Sequence, residues 1–462
     1  MSPKLNIDIL YLIFDELWND KKSLCSCLLV NKIFCEIVIQ ILWKNPWKYL
    51  EYGRESLLLN IIISHLSKES RNNLKCHGIY PLINLYEKLS FNYISFCKYL
   101  NLDIIKRMIY MFEYHKISII QNELIKLFIN EHTKFTHLYV PQGFDYQISL
   151  IPEVKQCFSE IVFLGCNADM NNNVLTGLAE ICESIREFEI YVKEKNNNYE
   201  VIKLIDIPKK LTNVHIHNDY YYFSYTFNLQ YNKILENSLR KHSQSIQHFK
   251  ISAPPVTNIL SSFENLKELE LDSNYHFSWD CLENLSLPFL QILKTRAIPV
   301  EKLASLIENT SGHLTKINID YVFYEEIDNK RIIQAIYQKC PKLEYLKIIL
   351  MRNNIKEFEK VLINCKYLDE LFISVNNLFD PRELFEILAK SSPASLFKFK
   401  FSNLSIPDKL ESLKQFLDNW KGRHPMFLQF NYRDIKEYSA LMRLIKKYKA
   451  LGVIKKYNMH FD

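Results

Sequence analysis

Glycine is scarce in this sequence: a chain of 462 residues carries only eight. No two stand close enough to form a G-x-G turn or a phosphate-cradling loop, so the common nucleotide-binding motifs are excluded. The eleven cysteines are odd in number and include no C-x-x-C pair, which argues against a disulfide framework and a zinc ribbon and leaves reduced thiols in packed positions. Long apolar runs are missing too. Leu57 to Ile63, interrupted by Asn60, falls far short of a membrane span, so no membrane partner is expected. Asp8, Asp15 and Glu16 break the only candidate for a secretory leader, and the expected location is the cytoplasm or nucleus. A formal net charge of +6 gives no more than a mild lean towards acidic partners. There is no H-E-x-x-H and no G-x-S-x-G, and no cysteine and histidine pairing that spacing supports, so no catalytic residue, no enzyme activity and no cofactor are expected.

What is present describes a folded protein. Hydrophobic residues make up 48% and charged residues 24%, and no stretch rich in Pro, Gly or Ser reads as a linker, so either several domains abut or repeats stack. Residues 5 to 43, LNIDILYLIFDELWNDKKSLCSCLLVNKIFCEIVIQILW, read as three short helices. Leu10, Ile13, Phe14 and Leu17 recur at helical spacing, Asn6 or Asp8 caps the first helix, and Asp20 and Asn31 cap the next two. About forty residues bury too little surface to be safe alone, so the remaining apolar face is expected to lie on another protein.

This segment resembles the F-box. Leu5 stands where that family's opening Leu does, Asp8 where its acidic residue does, and Ile9, Leu10, Ile13, Phe14 and Leu17 fall on its first-helix positions. Leu42 and Trp43 keep the closing Leu-Trp pair, while Asn6 replaces the family's Pro and Phe34 its usual Trp. The resemblance implies that a Skp-type adaptor, and through it cullin, binds at Leu5, Asn6, Ile9, Leu10, Ile13, Phe14, Leu17, Phe34, Leu42 and Trp43. The other reading of the segment is an ordinary helical bundle.

The F-box is assigned residues 1–48, and residues 49–133 read as a helical bridge, with apolar periodicity in Glu55 to Leu66, Pro81 to Leu89, Tyr93 to Leu100, Leu102 to Phe112 and Ile119 to Ile129. Polar breaks at Lys68 to Asn73, Gly78 and Ser90 to Asn92 separate these helices. From about residue 134 to 462 an apolar-x-x-apolar-x-apolar pattern recurs every 20 to 35 residues or so, the range of leucine-rich repeats. It begins at Phe135, Leu138 and Val140, and continues at Phe158, Ile161 and Phe163, at Ile185, Phe188 and Ile190, and at Leu211, Val214 and Ile216. Ile246, Phe249 and Ile251 lead to Leu266, Leu269 and Leu271, then to a weaker copy at Leu290, Leu293 and Thr295. Further copies centre on Ile317, Leu346, Leu371 and Phe399, with a degenerate one in Met426 to Tyr432. Helical segments such as Val300 to Asn309, Lys330 to Lys339, Glu357 to Asn364, Pro381 to Ala389 and Pro407 to Trp420 alternate with the strands. The expected fold is an α/β solenoid: a three-helix F-box, a helical bridge, then an irregular leucine-rich-repeat horseshoe with an inner parallel sheet. Two separate doubly wound domains would need longer strands and glycine-bearing turns.

Side chains alternate along a strand, so the residues between the apolar ones form the inner face. His215, His217, Lys250, Glu268, Glu270, Lys316, Tyr345 and Lys347 are candidate target-binding residues there, joined by Tyr221 and Tyr222 in the tyrosine-dense segment Asn218 to Phe227, which reads either as a loop beside this face or as an extra strand that buries the same residues. Charges of both signs alternate on this face. A nucleic-acid binder would show a basic stripe with stacking aromatics, so a protein ligand is expected and nucleic acid is not. His215, His217 and His248 have spacing that zinc can use, but no fourth ligand is specified and no metal is expected. Lysines 446, 447, 449, 455 and 456 are expected on a terminal amphipathic helix. An F-box followed by leucine-rich repeats resembles the substrate receptors of SCF-type cullin-RING ubiquitin ligases, in which the F-box docks on the adaptor and the repeats hold a target. The alternative is a leucine-rich-repeat interaction scaffold with no ligase, its first helices being only a cap.

Overall fold

A computed structural model of the chain describes residues 6–79, 89–181, 183–219, 229–273, 277–320, 326–375, 381–404, 410–432 and 438–461. The chain divides into two compact units, Met1–Leu211 and Thr212–Asp462.

The first unit opens with helices α1 (Ile7–Glu16), α2 (Lys21–Cys27) and α3 (Lys32–Lys44). All three start on side-chain caps. Asn6 accepts from the Asp8 amide at 3.2 Å, Asp20 from the Ser23 amide at 3.0 Å and Asn31 from the Phe34 amide at 2.9 Å, satisfying donors that the opening turns leave free. Phe14, Leu24, Ile37, Val38 and Ile41 form the buried core, and Phe34 meets the Phe14 ring edge-on with centroids 4.9 Å apart.

Helices α4 (Glu55–Ile63) and α5 (Lys68–Cys76) follow. Lys68 to Asn73, expected as a polar break, is the start of α5 instead. The Ser67 hydroxyl caps it by accepting from the Ser70 amide at 3.0 Å, and Leu74 alone supplies its buried side chain, too sparse a stripe to read as periodicity. Tyr93 to Leu100, expected as a helix, is one 3-10 turn (Tyr93–Phe96) followed by strand β1 (Tyr99–Asn101). Pro81 to Lys88 lie outside the described residues. The parallel ladder therefore begins ahead of residue 134, where the repeat pattern first becomes clear.

Strands β2 (His137–Tyr139), β3 (Phe163–Asn167) and β4 (Glu187–Lys193) join β1 in chain order, all parallel, with Leu100, Leu138, Leu164 and Phe188 in one register row. Helices α6 (Leu102–Ile109), α7 (Tyr114–Phe128), α8 (Val154–Phe158) and α9 (Asn172–Ile181) lie between these strands, and α10 (Val201–Asp206) follows β4. One repeat is shifted by three residues from expectation. The buried triplet is Ile161, Leu164 and Cys166 rather than Phe158, Ile161 and Phe163, because Phe158 ends α8 and Phe163 turns to the opposite sheet face.

The second unit repeats the strand-turn-helix unit through β5 (Asn213–Asp219), β6 (His248–Ile251), β7 (Glu268–Asp272), β8 (Ile292–Arg296), β9 (Lys316–Asp320), β10 (Tyr345–Leu350), β11 (Glu370–Val375), β12 (Lys398–Ser402), β13 (Met426–Tyr432) and β14 (Ile454–Phe461). Each pairs in parallel with its neighbours in sequence. Val214, Phe249, Leu269, Leu293, Ile317, Leu346, Leu371, Phe399 and Leu428 make one continuous buried row, which no single repeat could bury for itself. Helices α11 (Leu229–Leu239), α12 (Val300–Glu308), α13 (Glu326–Lys339), α14 (Ile355–Asn364), α15 (Pro381–Ser391), α16 (Leu410–Asn419) and α17 (Tyr438–Ala450) complete it. Each unit is thus an α/β solenoid of the leucine-rich-repeat kind. Lys455 and Lys456 lie on β14 rather than on the terminal helix, since Gly452 takes the left-handed conformation (φ 75°) that ends α17.

A buried asparagine joins α13 to the next repeat. Asn329 is fully buried; its amide donates to the Ile349 carbonyl at 2.8 Å, and its carbonyl accepts from the Met351 amide at 3.2 Å and from Asn354 at 3.1 Å. Asn329→Ala strands these groups without water, and we expect a loss of about 2 to 4 kcal/mol in chemical denaturation. A loss within experimental error would show that the network relaxes around the gap.

Candidate protein-binding faces

The first candidate surface is the three-helix module. Of the residues expected to meet an adaptor, Phe14 is in the core, and Leu10, Leu17, Phe34 and Leu42 are packed against it. Ile9 and Ile13 point outward with nearly half their surface exposed, and Leu12 on the same helix is 66% exposed. Leu29, 90% exposed, with Val30 and Ile33, continues the apolar character at the corner between α2 and α3. Asn6 is exposed and caps α1. Trp43 turns towards the following segment, its ring 4.7 Å from that of Tyr93. Leu5 lies outside the described residues.

The base of this module holds the first strand. The Lys98 amide donates to the Lys44 carbonyl at 2.9 Å, and the Trp47 indole donates to the Tyr99 carbonyl at 2.7 Å. Strand β1 would otherwise present free backbone groups along its outer edge.

The second candidate surface is the open sheet face of the second unit. In-register parallel strands set same-face residues of successive repeats about 4.8 Å apart, so opposite charges at matching positions meet sideways. His248 lies 3.0 Å from Glu268, and Lys294 reaches Glu268 at 2.6 Å and Glu270 at 3.9 Å. Lys250 also pairs with Glu270. Arg296 grips Asp272 with two hydrogen bonds of 2.6 and 2.9 Å. Lys347 meets Asp320 at 2.5 Å and stands 4.8 Å over the Phe372 ring, while Lys400 meets Glu370 at 2.6 Å. Lys250, Glu268, Glu270 and Lys347, expected to await a target's charges, are thus paired within the chain. Lys316 is exposed and has no ion pair among the described residues. Tyr345 is half-buried, and burial, with Glu370 and Asp320 nearby, pushes its hydroxyl up to about 12. His215 and His217 share β5 with ring centroids 6.5 Å apart. Tyr221 and Tyr222 lie outside the described residues. Sequence reasoning missed Lys294 and Arg296 because β8 has the weakest apolar pattern, although they flank Thr295 on the strand.

A third surface went unread in the sequence. On the open face of β1 to β3, Tyr99, His137 and Phe163 occupy one register row and stack, with centroids 3.8 and 5.3 Å apart, and Trp18 extends the stack 6.2 Å beyond Tyr99. Tyr139 leans on Phe163 at 4.8 Å. Gly165 permits this: a Cβ there would stand 3.1 Å from the Tyr139 ring and 3.2 Å from that of Phe163. Burial, helped by Lys44, pushes His137 down to about 4, so the stack stays neutral. Burial and the nearby Glu189 push the Tyr139 hydroxyl up to about 12. The available signal was a single Leu flanked by polar and aromatic residues in Tyr99-Leu100-Asn101 and His137-Leu138-Tyr139.

No family model matches the chain, and no curated protein does. Among solved structures, it is similar to the leucine-rich repeat-containing protein LegL7 from Legionella pneumophila, at 17% identity and a TM-score of 0.36, covering 64% of this chain and 90% of that one.

The lateral pairs predict a pH dependence. Burial raises the Glu268 pKa, but hydrogen bonds from Lys294 and His248 outweigh it and hold the carboxyl below its ordinary 4.5. A group depressed on folding contributes stability that is complete above the unfolded value and is lost as pH falls through the folded one. Glu268→Gln should therefore flatten the decline of unfolding free energy below pH 4.5. An acid limb as steep as that of the native protein would contradict this.

Proposed function

We propose that this chain is the substrate-recognition subunit of a cullin-RING (SCF-type) ubiquitin ligase. Its three-helix module is the F-box that docks on a Skp-type adaptor, and its repeats hold a target protein. The observation that carries the reading is the exposed apolar face of a module that is otherwise capped and packed. Ile9, Leu12 and Ile13 on α1 and Leu29 and Val30 at the next corner are in water although the module has a complete core. Such a surface is what a docking site needs and what a self-sufficient bundle avoids. The clamp of Lys44 and Trp47 on β1 supports the same reading. A receptor contributes proximity and orientation, so its adaptor end must be held rigidly on its repeats. In this reading the chain performs no chemistry, works in the cytoplasm or nucleus, and leaves ubiquitin transfer to a recruited conjugating enzyme.

The clamp also favours a second reading, a non-ligase scaffold in which the module merely covers an edge strand. The two part at α1, whose outward apolar residues a cap does not use.

Ile9→Asp with Ile13→Asp tests the choice, because neither side chain belongs to the buried core. We expect co-elution with a Skp-type adaptor in gel filtration to disappear and affinity to fall about 100-fold or more, with the thermal melt unchanged. Phe14→Ala is the contrasting variant: it opens the core and should lower stability by about 3 to 5 kcal/mol. Native affinity in the double variant would overturn the adaptor reading.

A further inference from the structure

One carboxylate on the open sheet face of the first unit, Glu187, differs from those on the open face of the second. In the second unit Glu268, Glu270, Asp272, Asp320 and Glu370 all have a lysine or arginine of the same chain within ion-pair distance. A partner's cation approaching them must displace one already there. In the first unit β4 carries Glu187 and Glu189, in register with Phe163 and Gly165 at the end of the aromatic stack. Among the described residues the Glu187 side chain has no ion pair or hydrogen bond, and Glu189 accepts from the Tyr191 hydroxyl at 2.8 Å. The lysine on the same strand, Lys193, is taken up by Asp169 at 2.7 Å. At the far end of the row Lys44 is held by Asp15 at 3.2 Å and Lys48 by the Trp18 carbonyl at 2.8 Å, both turned onto the Trp18 ring.

We propose that this aromatic face of β1 to β4 is the part of the repeats that takes a target, and that it takes a basic peptide segment, seating an arginine or lysine side chain at Glu187 beside Phe163 and Tyr139. The proposal rests on the receptor reading and names the chemistry of its target. Charge complementarity selects this occupant: aromatic ring faces carry negative potential, a carboxylate stands at the end of their row, and a guanidinium or ammonium is attracted to both. The aliphatic stem of such a side chain covers the rings while its charged head stays at the carboxylate. The half-buried setting, with Phe163 only 8% exposed and Tyr191 41% exposed, screens the contact less than open water would.

The test is a displayed library of random heptapeptides selected on the immobilised full-length chain, followed by calorimetric titration of the strongest synthetic peptide. We expect selected peptides to be enriched in arginine and lysine, binding to weaken as salt rises, and Glu187→Gln to lower affinity about tenfold while the thermal melt is unchanged. Lys316→Glu, on the open face of the second unit, should leave affinity as it is. Selected peptides without basic residues, no selection above the blank matrix, or equal affinity for Glu187→Gln and the native chain would each overturn the proposal. If Lys316→Glu alters affinity and Glu187→Gln does not, the second unit holds the peptide, and the receptor reading stands while this proposal falls. Loss of adaptor association is measured separately and would remove the receptor reading without touching the peptide result.

Discussion

Parallel pairing of one short strand per repeat, in register with the strand before it, is the constraint on which the rest of each unit depends. A strand such as Phe249 to Ile251 or Leu269 to Leu271 has two buried side chains and cannot cover them alone. Stacked in register, those side chains form continuous buried rows, and the polar residues between them form equally regular rows on the other face. A slip of one residue would exchange the two faces. The rows of charge in the second unit follow from the same geometry. Lys294 stands between two glutamates, and Arg296 opposite Asp272, because the register places them there.

Repeats leave their first strand with an uncovered edge, and the three-helix module meets that need with few groups. A backbone carbonyl at the end of α3 and one indole hold β1, and Trp18 stacks on Tyr99 beside them. These contacts engage the base of the module and leave the outer residues of α1 in water. In the proposed function, holding and docking use different parts of the module, which is what would let one short segment serve as both cap and F-box.

Much of this architecture was legible in the sequence, and the exceptions have physical causes. From Ile185 onward the apolar triplets mark the observed strands, because two buried residues and an anchor recur with little competition. At Phe158 to Cys166 six apolar residues crowd into nine positions, and two registers fit equally well until pairing with Leu138 selects Leu164. Strand β1 has a single buried residue, Leu100, too little for any alternation to show. Strand β14 was hidden by Lys455 and Lys456, which suit an exposed strand as well as a helix. A sequence shows which side chains share a face but not which are already neutralised, and the lateral partners of Glu268 and Glu270 emerge only from the register. The aromatic row escaped notice because its members come from three strands of which two are three residues long.

The central claim is that the chain docks through the outer face of its first helices while the repeats remain as they are. Hydrogen exchange of the full-length protein, alone and with saturating Skp-type adaptor, measures this directly. The account predicts new protection confined to peptides spanning Ile7 to Ile33, with the amides of β1 to β14 exchanging at unchanged rates. Protection that appears on the strands, or no change in the first three helices, would contradict it.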